Sequence, residues 1–225
     1  MKKALLVHHD CFESNLISKI LFELNYSITI VKSSNLKDKQ LKEVKNYNII
    51  VFLGGNASAN CKSISMLYEV KFIKKIIKYN VPILGICLGA QLLAKLFGSK
   101  ITNNKLATTE IGYKKLVKPN SKYFSKNDLF FMQFHSQGIS LSKSIEVLAY
   151  ARLFEVDAFK IIDKEIYGFQ FHPEVDDLIL ERWYKTNKDP LSKYKDSLYK
   201  IIKNYHLYKK NNYKWLKKTI IKIST

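Results

Sequence analysis

The sequence predicts an α/β fold, a doubly wound, mostly parallel open sheet flanked by helices and carrying an antiparallel extension. Three observations predict it. Over the first hundred residues, short apolar runs bounded by turn residues alternate with stretches whose apolar residues recur at helical spacing, the pattern of strand–crossover–strand units. Two of the apolar runs lead straight into glycine, at Gly54-Gly55 and at Gly85, where a parallel sheet opens its ligand crevice. Beyond residue 99 the texture changes to short strands with short connections, which read as antiparallel hairpins added to the sheet.

The elements follow in order. Ala4-Leu5-Leu6-Val7-His8-His9 is the first expected strand. Residues 12–24 place Phe12, Leu16, Ile20 and Leu21 on one helical face. Tyr26 to Val31 is a second strand, enriched in β-branched residues. The polar stretch 35–47 holds a short helix. Asn48 to Leu53 is a third strand, apolar on both faces as a central parallel strand requires. Residues 65–79 form an amphipathic helix with Met66, Val70, Ile73 and Ile77 in step. Val81-Pro82-Ile83-Leu84 is the next strand, and Leu92 to Phe97 continues in helical spacing behind it. The expected later strands are Ile111–Val117, Leu129–Phe134, Glu146–Tyr150, Ala158–Ile162 and Ile166–Phe171, with Asp163-Lys164-Glu165 as a hairpin turn.

Composition excludes several classes. A chain of 225 residues buries one sizeable core. Cys11, Cys61 and Cys87 are odd in number with no CxxC pair, so neither a disulfide framework nor a zinc site is expected, and the chain is expected to be cytoplasmic. The apolar run after Lys2-Lys3 is too short for a signal peptide, and no apolar stretch has the length of a membrane span. The formal charge is +19, yet Arg152 and Arg182 are the only arginines among 38 basic residues. Arginine makes the bidentate contacts to guanine and phosphate, so no specific nucleic-acid partner is expected.

The chemistry gathers around Gly85-Ile86-Cys87-Leu88-Gly89-Ala90-Gln91. Cys87 falls on a strand-to-helix turn with a glycine two residues away on each side, the arrangement of a nucleophile elbow with sulfur as nucleophile. The helix behind it points its positive end at the sulfur, which supports a nucleophilic role. Taken alone, Cys87 also fits a buried structural cysteine. Its partners are in Gln170-Phe171-His172-Pro173-Glu174. Residues two apart on a strand share a face, so Glu174 can orient His172 while His172 moves the thiol proton. Gly55, after a buried strand, offers an unhindered N–H, and with the N–H of Leu88 it makes a two-donor oxyanion hole.

These motifs, in this order and spacing, resemble the three signatures of class I glutamine amidotransferases across residues 3 to 185. Glu110-Ile111-Gly112-Tyr113 and Phe134-His135-Ser136-Gln137-Gly138 further resemble the branch with the amidotransferase domain of GMP synthase. The resemblance implies a flavodoxin-like fold and a Cys87–His172–Glu174 triad. It implies hydrolysis of L-glutamine, or a related γ-glutamyl amide, through a γ-glutamyl thioester. Gln91, His135, Ser136 and Gln137 then hold the substrate. No cofactor or metal is implied. No ATP-pyrophosphatase loop occurs in the chain, so the expected partner is a separate synthetase subunit that receives the ammonia. Two other readings stand beside it: a hydrolase of γ-glutamyl conjugates, and a non-catalytic regulatory subunit on the same scaffold.

The expected domains are the amidotransferase domain, 1–186, and a basic amphipathic helical extension, 187–225. Residues 185–225 hold twelve lysines against two aspartates, more than half of the formal excess charge. Tyr194, Leu198, Ile201, Ile202 and Tyr205 recur at helical spacing, as do Trp215, Leu216, Ile220 and Ile223. Two basic amphipathic helices are expected, and removal of residues 188–225 is expected to leave fold and activity intact.

Overall fold

The alternating first half forms β1 (Lys3–His8), α1 (Leu16–Glu23), β2 (Ser27–Lys32), α2 (Asp38–Lys42), β3 (Ile49–Phe52), α3 (Ile64–Ile76), β4 (Ile83–Ile86) and α4 (Leu88–Leu96). The structure is a computed structural model and describes residues 1–9, 15–103, 108–126, 129–186 and 195–224. Local chemistry sets the helix starts. Asn15 and Ser18 cap α1 reciprocally: Ser18 N–H donates to Asn15 Oδ1 at 3.0 Å and Asn15 N–H to Ser18 Oγ at 3.1 Å. Ser63 caps α3 through Met66 N–H at 3.3 Å. The expected packing of Phe12 lies outside the described residues.

The second half adds β5 (Ile101–Asn103), β6 (Glu110–Lys115), β7 (Phe130–His135), β8 (Gln137–Ile139), β9 (Ile145–Tyr150), β10 (Val156–Ile161), β11 (Ile166–Phe169), α5 (Asp177–Thr186) and α6 (Lys195–Ile223). Among the described residues the main sheet runs β2-β1-β3-β4-β11-β10-β8-β5, with β9 also paired to β10. The strands from β2 to β11 are parallel. The remainder, from β10 outward, are antiparallel. The turn at Asp163 takes φ +59.

Three features differ from expectation. β11 reads in sequence as an antiparallel strand, but it lies in the seam, parallel to β4 on one side and antiparallel to β10 on the other. β6 and β7 form their own two-stranded sheet, tied to the main body by a bridge between Met132 and His172. β5 and β8 are three residues each, too short to show an alternating pattern.

The two sheet faces bury separate cores. Leu5, Val7, Ile50 and Phe52 meet α3 and α4 on one face. Ala4, Leu6, Ile49 and Val51 meet α1 and the end of α6 on the other. Among the described residues of the tail, 195–224, there is one long helix, where the spacing predicts two. Its first half packs Ile201 and Tyr205 on the β6–β7 hairpin, beside Tyr113 and Met132. Its second half buries Trp215, Leu216, Ile220 and Ile223 against the sheet. Trp215 donates to Tyr123 O at 2.9 Å and stacks on Phe124 at 5.2 Å, and Tyr26 O–H reaches Ser224 Oγ at 2.7 Å. The apolar spacing is legible in sequence, but the surface it covers is made by distant strands. The side chains of Tyr184, Tyr194 and Leu198 lie outside the described set. Among the described residues, no helix is long and apolar enough to cross a membrane.

Candidate active site

β4 is buried throughout and ends at Cys87, which takes φ +47 and ψ −106 before α4 begins at Leu88. A non-glycine residue there is strained, and the surroundings hold it in place. Cys87 N–H donates to Phe169 O at 2.8 Å, and Cys87 O accepts from Gln91 N–H at 2.9 Å. The flanking glycines are required by close backbone approach. A Cβ on Gly85 would stand 2.6 Å from Ala90 N, and one on Gly89 2.2 Å from Phe52 O. Backbone cannot step aside as a flexible side chain can. Gly89→Ala is therefore expected to destabilise the fold by about 3 kcal/mol, read from the urea unfolding midpoint.

His172 arrives just past β11. Its N–H donates to Met132 O at 2.8 Å, and its ring meets Trp183 edge-on at 5.0 Å. His172 Nδ1 lies 2.7 Å from Glu174 Oε1. Burial pushes the imidazole down, but the Glu174 carboxylate and then the charge of the nearby Cys87 outweigh it and raise it to about 10. Gly54 is wedged between the two partners: a Cβ there would lie 3.0 Å from His172 Cε1 and 3.5 Å from Cys87 Cβ. Cys87, His172 and Glu174 are thus brought together, each nearly buried. Gly55 sits beside Leu88, where an added Cβ would be 3.2 Å from Leu88 Cδ2.

The other expected residues form a second group. Gln91 Nε2 donates to Gln137 O at 2.9 Å and to Gln170 Oε1 at 3.1 Å. His135 Nδ1 lies 2.9 Å from the same Gln137 oxygen. Burial pushes His135 down to about 4, against the hydrogen bond to Gln137. Ser136 is exposed, and no contact draws it into this group.

Sequence reasoning missed four participants. Gln170, fully buried, donates from Nε2 to Cys87 Sγ at 3.6 Å. Ser58 O–H holds Gln137 Oε1 at 2.7 Å. His9 Nδ1 lies 3.2 Å from Gly54 O, and its Nε2 is 3.0 Å from both oxygens of Glu69, so this pair props the glycine loop. Glu69 did leave a signal. It stands on the apolar face of α3, between Met66 and Phe72, and is 1% exposed, a place where a charge needs a partner. Among the described residues, no group of three His, Cys, Asp or Glu side chains is placed to hold a metal ion.

Residues 7–178 match the family model of glutamine amidotransferase class-I. The chain is similar to one subunit of the glutamine-hydrolyzing GMP synthase of Methanosphaera stadtmanae, with 29% identity over 165 residues, covering 71% of this chain and 81% of the relative. It is also similar to the corresponding GMP synthase subunit of Pyrococcus abyssi, with 32% identity over 142 residues, covering 60% and 71%. A crystal structure of a glutamine amidotransferase from Thermotoga maritima superposes with a TM-score of 0.88 at 26% identity, covering 99% of this chain and 98% of that one.

Proposed function

The chain belongs to the class I glutamine amidotransferases, and from that premise we propose that Cys87, His172 and Glu174 are its catalytic triad, acting on the side-chain amide of L-glutamine. One observation carries the residue assignment: the strained Cys87 elbow and an imidazole that Glu174 holds at 2.7 Å close on the same glycine, Gly54, from two sides.

The chemistry follows from the positions. Cys87 Sγ attacks the amide carbon. Charge developing on the amide oxygen falls to the N–H groups of Gly55 and Leu88, fixed backbone donors that need no reorganisation. His172, carrying the proton, delivers it to the departing nitrogen, and ammonia leaves. Glu174 keeps the ring oriented and stabilises its charged form. Water then attacks the γ-glutamyl thioester with His172 as base. Glutamate departs and the sulfur is restored. Gln91, His135 and Gln137 line the place of the amino-acid substrate, with Ser136 at its exposed edge. Each of the two relatives is one subunit of a glutamine-hydrolyzing GMP synthase, so a separate synthetase subunit that takes up the ammonia is the partner we propose.

The test is product analysis with the purified full chain. Glutamate and ammonia are expected in equal amounts from L-glutamine. Amines released from γ-glutamyl conjugates faster than ammonia from glutamine would overturn the substrate assignment.

A further inference from the structure

Behind the substrate residues lies a buried chain of polar groups with no role in the steps above. His135 Nε2 is 2.9 Å from Gln133 Oε1, and Gln133 Nε2 is 3.0 and 2.9 Å from the two oxygens of Asp157. Gln133 is 1% and Asp157 3% exposed. Gln137 O, at the other end, accepts from both His135 Nδ1 and Gln91 Nε2.

Hydrogen-bond accounting orients the whole chain. A backbone carbonyl can only accept, so His135 Nδ1 must carry a proton toward Gln137 O. If Gln133 Oε1 truly faced Nε2, His135 would have to donate from both nitrogens and be charged, with its side chain only 2% exposed. The oxygen and nitrogen of a glutamine amide are interchangeable by a half-turn. Turned over, Gln133 donates its N–H to Nε2 and presents its oxygen to Asp157. Two oxygens can meet there only if the Asp157 carboxyl holds a proton and donates it.

We propose that Asp157 is a positioning residue: its buried, protonated carboxyl orients Gln133, which sets the His135 tautomer, which holds the Gln137 carbonyl in the substrate crevice. The same carbonyl polarises a second arm, in which Gln91 donates to Gln170 and Gln170 donates to Cys87 Sγ. The backbone closes the circuit, since Gln170 N–H donates to Asp157 O at 2.8 Å.

The electrostatics agree. Burial, then the nearby Glu110 carboxyl, push Asp157 up to about 8. Glu110, whose Oε2 is 3.8 Å from His135 Nε2, is itself raised by burial, against Lys114 and Arg152. His172, the remaining charge felt by His135, pushes it further down.

The inference rests on the glutaminase reading, and the test separates the two. Asp157→Asn and Asp157→Ala are compared with the wild-type chain. Asparagine can still donate to Gln133, whereas alanine cannot. Asp157→Asn is expected to keep the KM for L-glutamine. Asp157→Ala is expected to raise it about tenfold, the loss of one neutral hydrogen bond, with kcat changed less. Above about pH 8 the wild-type KM rises while that of Asp157→Asn stays flat. Equal impairment of both variants, or parallel pH profiles, overturns the proposal.

Unfolding gives a readout without activity. A folded carboxyl that keeps its proton adds stability that is fully present below about pH 4 and is lost as pH rises through about 8. Between those limits the wild-type unfolding constant is expected to rise against that of Asp157→Asn by up to about tenfold per pH unit. A wild-type chain inactive on glutamine would sink the function reading. The unfolding comparison would then decide for the buried proton if the slopes differ and against it if they coincide.

Discussion

Cys87→Ala is expected to reduce glutamine hydrolysis by about 10⁴-fold or more, with the unfolding midpoint unchanged. The reasoning is local. In the proposed mechanism His172 moves the proton and the glycine loop holds the oxyanion, while the acyl bond itself is formed by the Cys87 sulfur alone. Removing a nucleophile leaves only the acceleration due to binding and oxyanion stabilisation. Stability is spared because the elbow is held by backbone contacts, from Cys87 N–H to Phe169 O and from Gln91 N–H to Cys87 O, which alanine keeps. Ammonia release and a urea melt on the same samples check both halves.

The second large effect concerns α6. A chain ending at residue 186 is expected not to fold cooperatively, contrary to what the basic tail suggests in sequence. Deletion removes Ile201, Tyr205, Trp215, Leu216, Ile220 and Ile223, all nearly fully buried, and exposes the apolar surface they cover. At about 1.5–3 kcal/mol for each such side chain, the loss is on the order of 10 kcal/mol. That is comparable with the whole stability of a typical domain, about 5–15 kcal/mol. Function is coupled to the same packing. Trp215 lies against Phe131, Phe169 and Phe171, and Phe171 immediately precedes His172. Trp215→Ala, a milder change, is expected to cost about 3–5 kcal/mol. A sharp wild-type-like melt for the truncated chain would show that the sheet holds its core without α6.

What can be read in the sequence is what short-range chemistry specifies. The elbow glycines, the buried β3 and β4, and the two-residue spacing of His172 and Glu174 are all local patterns, and each places its residue in the crevice. What escapes depends on distant pairing. Gln170 lies within a legible motif, but its amide matters because parallel pairing of β11 with β4 brings it to the sulfur. His9 and Glu69 meet across sixty residues. Asp157 and Gln133 lie on strands of different sheets, and neither carries a local mark of the chain between them. The lysine-rich outer face of α6 hides how much its apolar face covers, because the covering surface is assembled from β6, β7 and β11.

The most direct test of the account is peptide-mapping mass spectrometry of the full chain after incubation with a glutamine-like chloroketone, with and without excess L-glutamine. The account predicts one adduct on Cys87, suppressed by glutamine, while any labelling of the exposed Cys61 is not. An unmodified Cys87, or one modified equally with and without glutamine, would contradict the assignment of Cys87 as the nucleophile of a glutamine site.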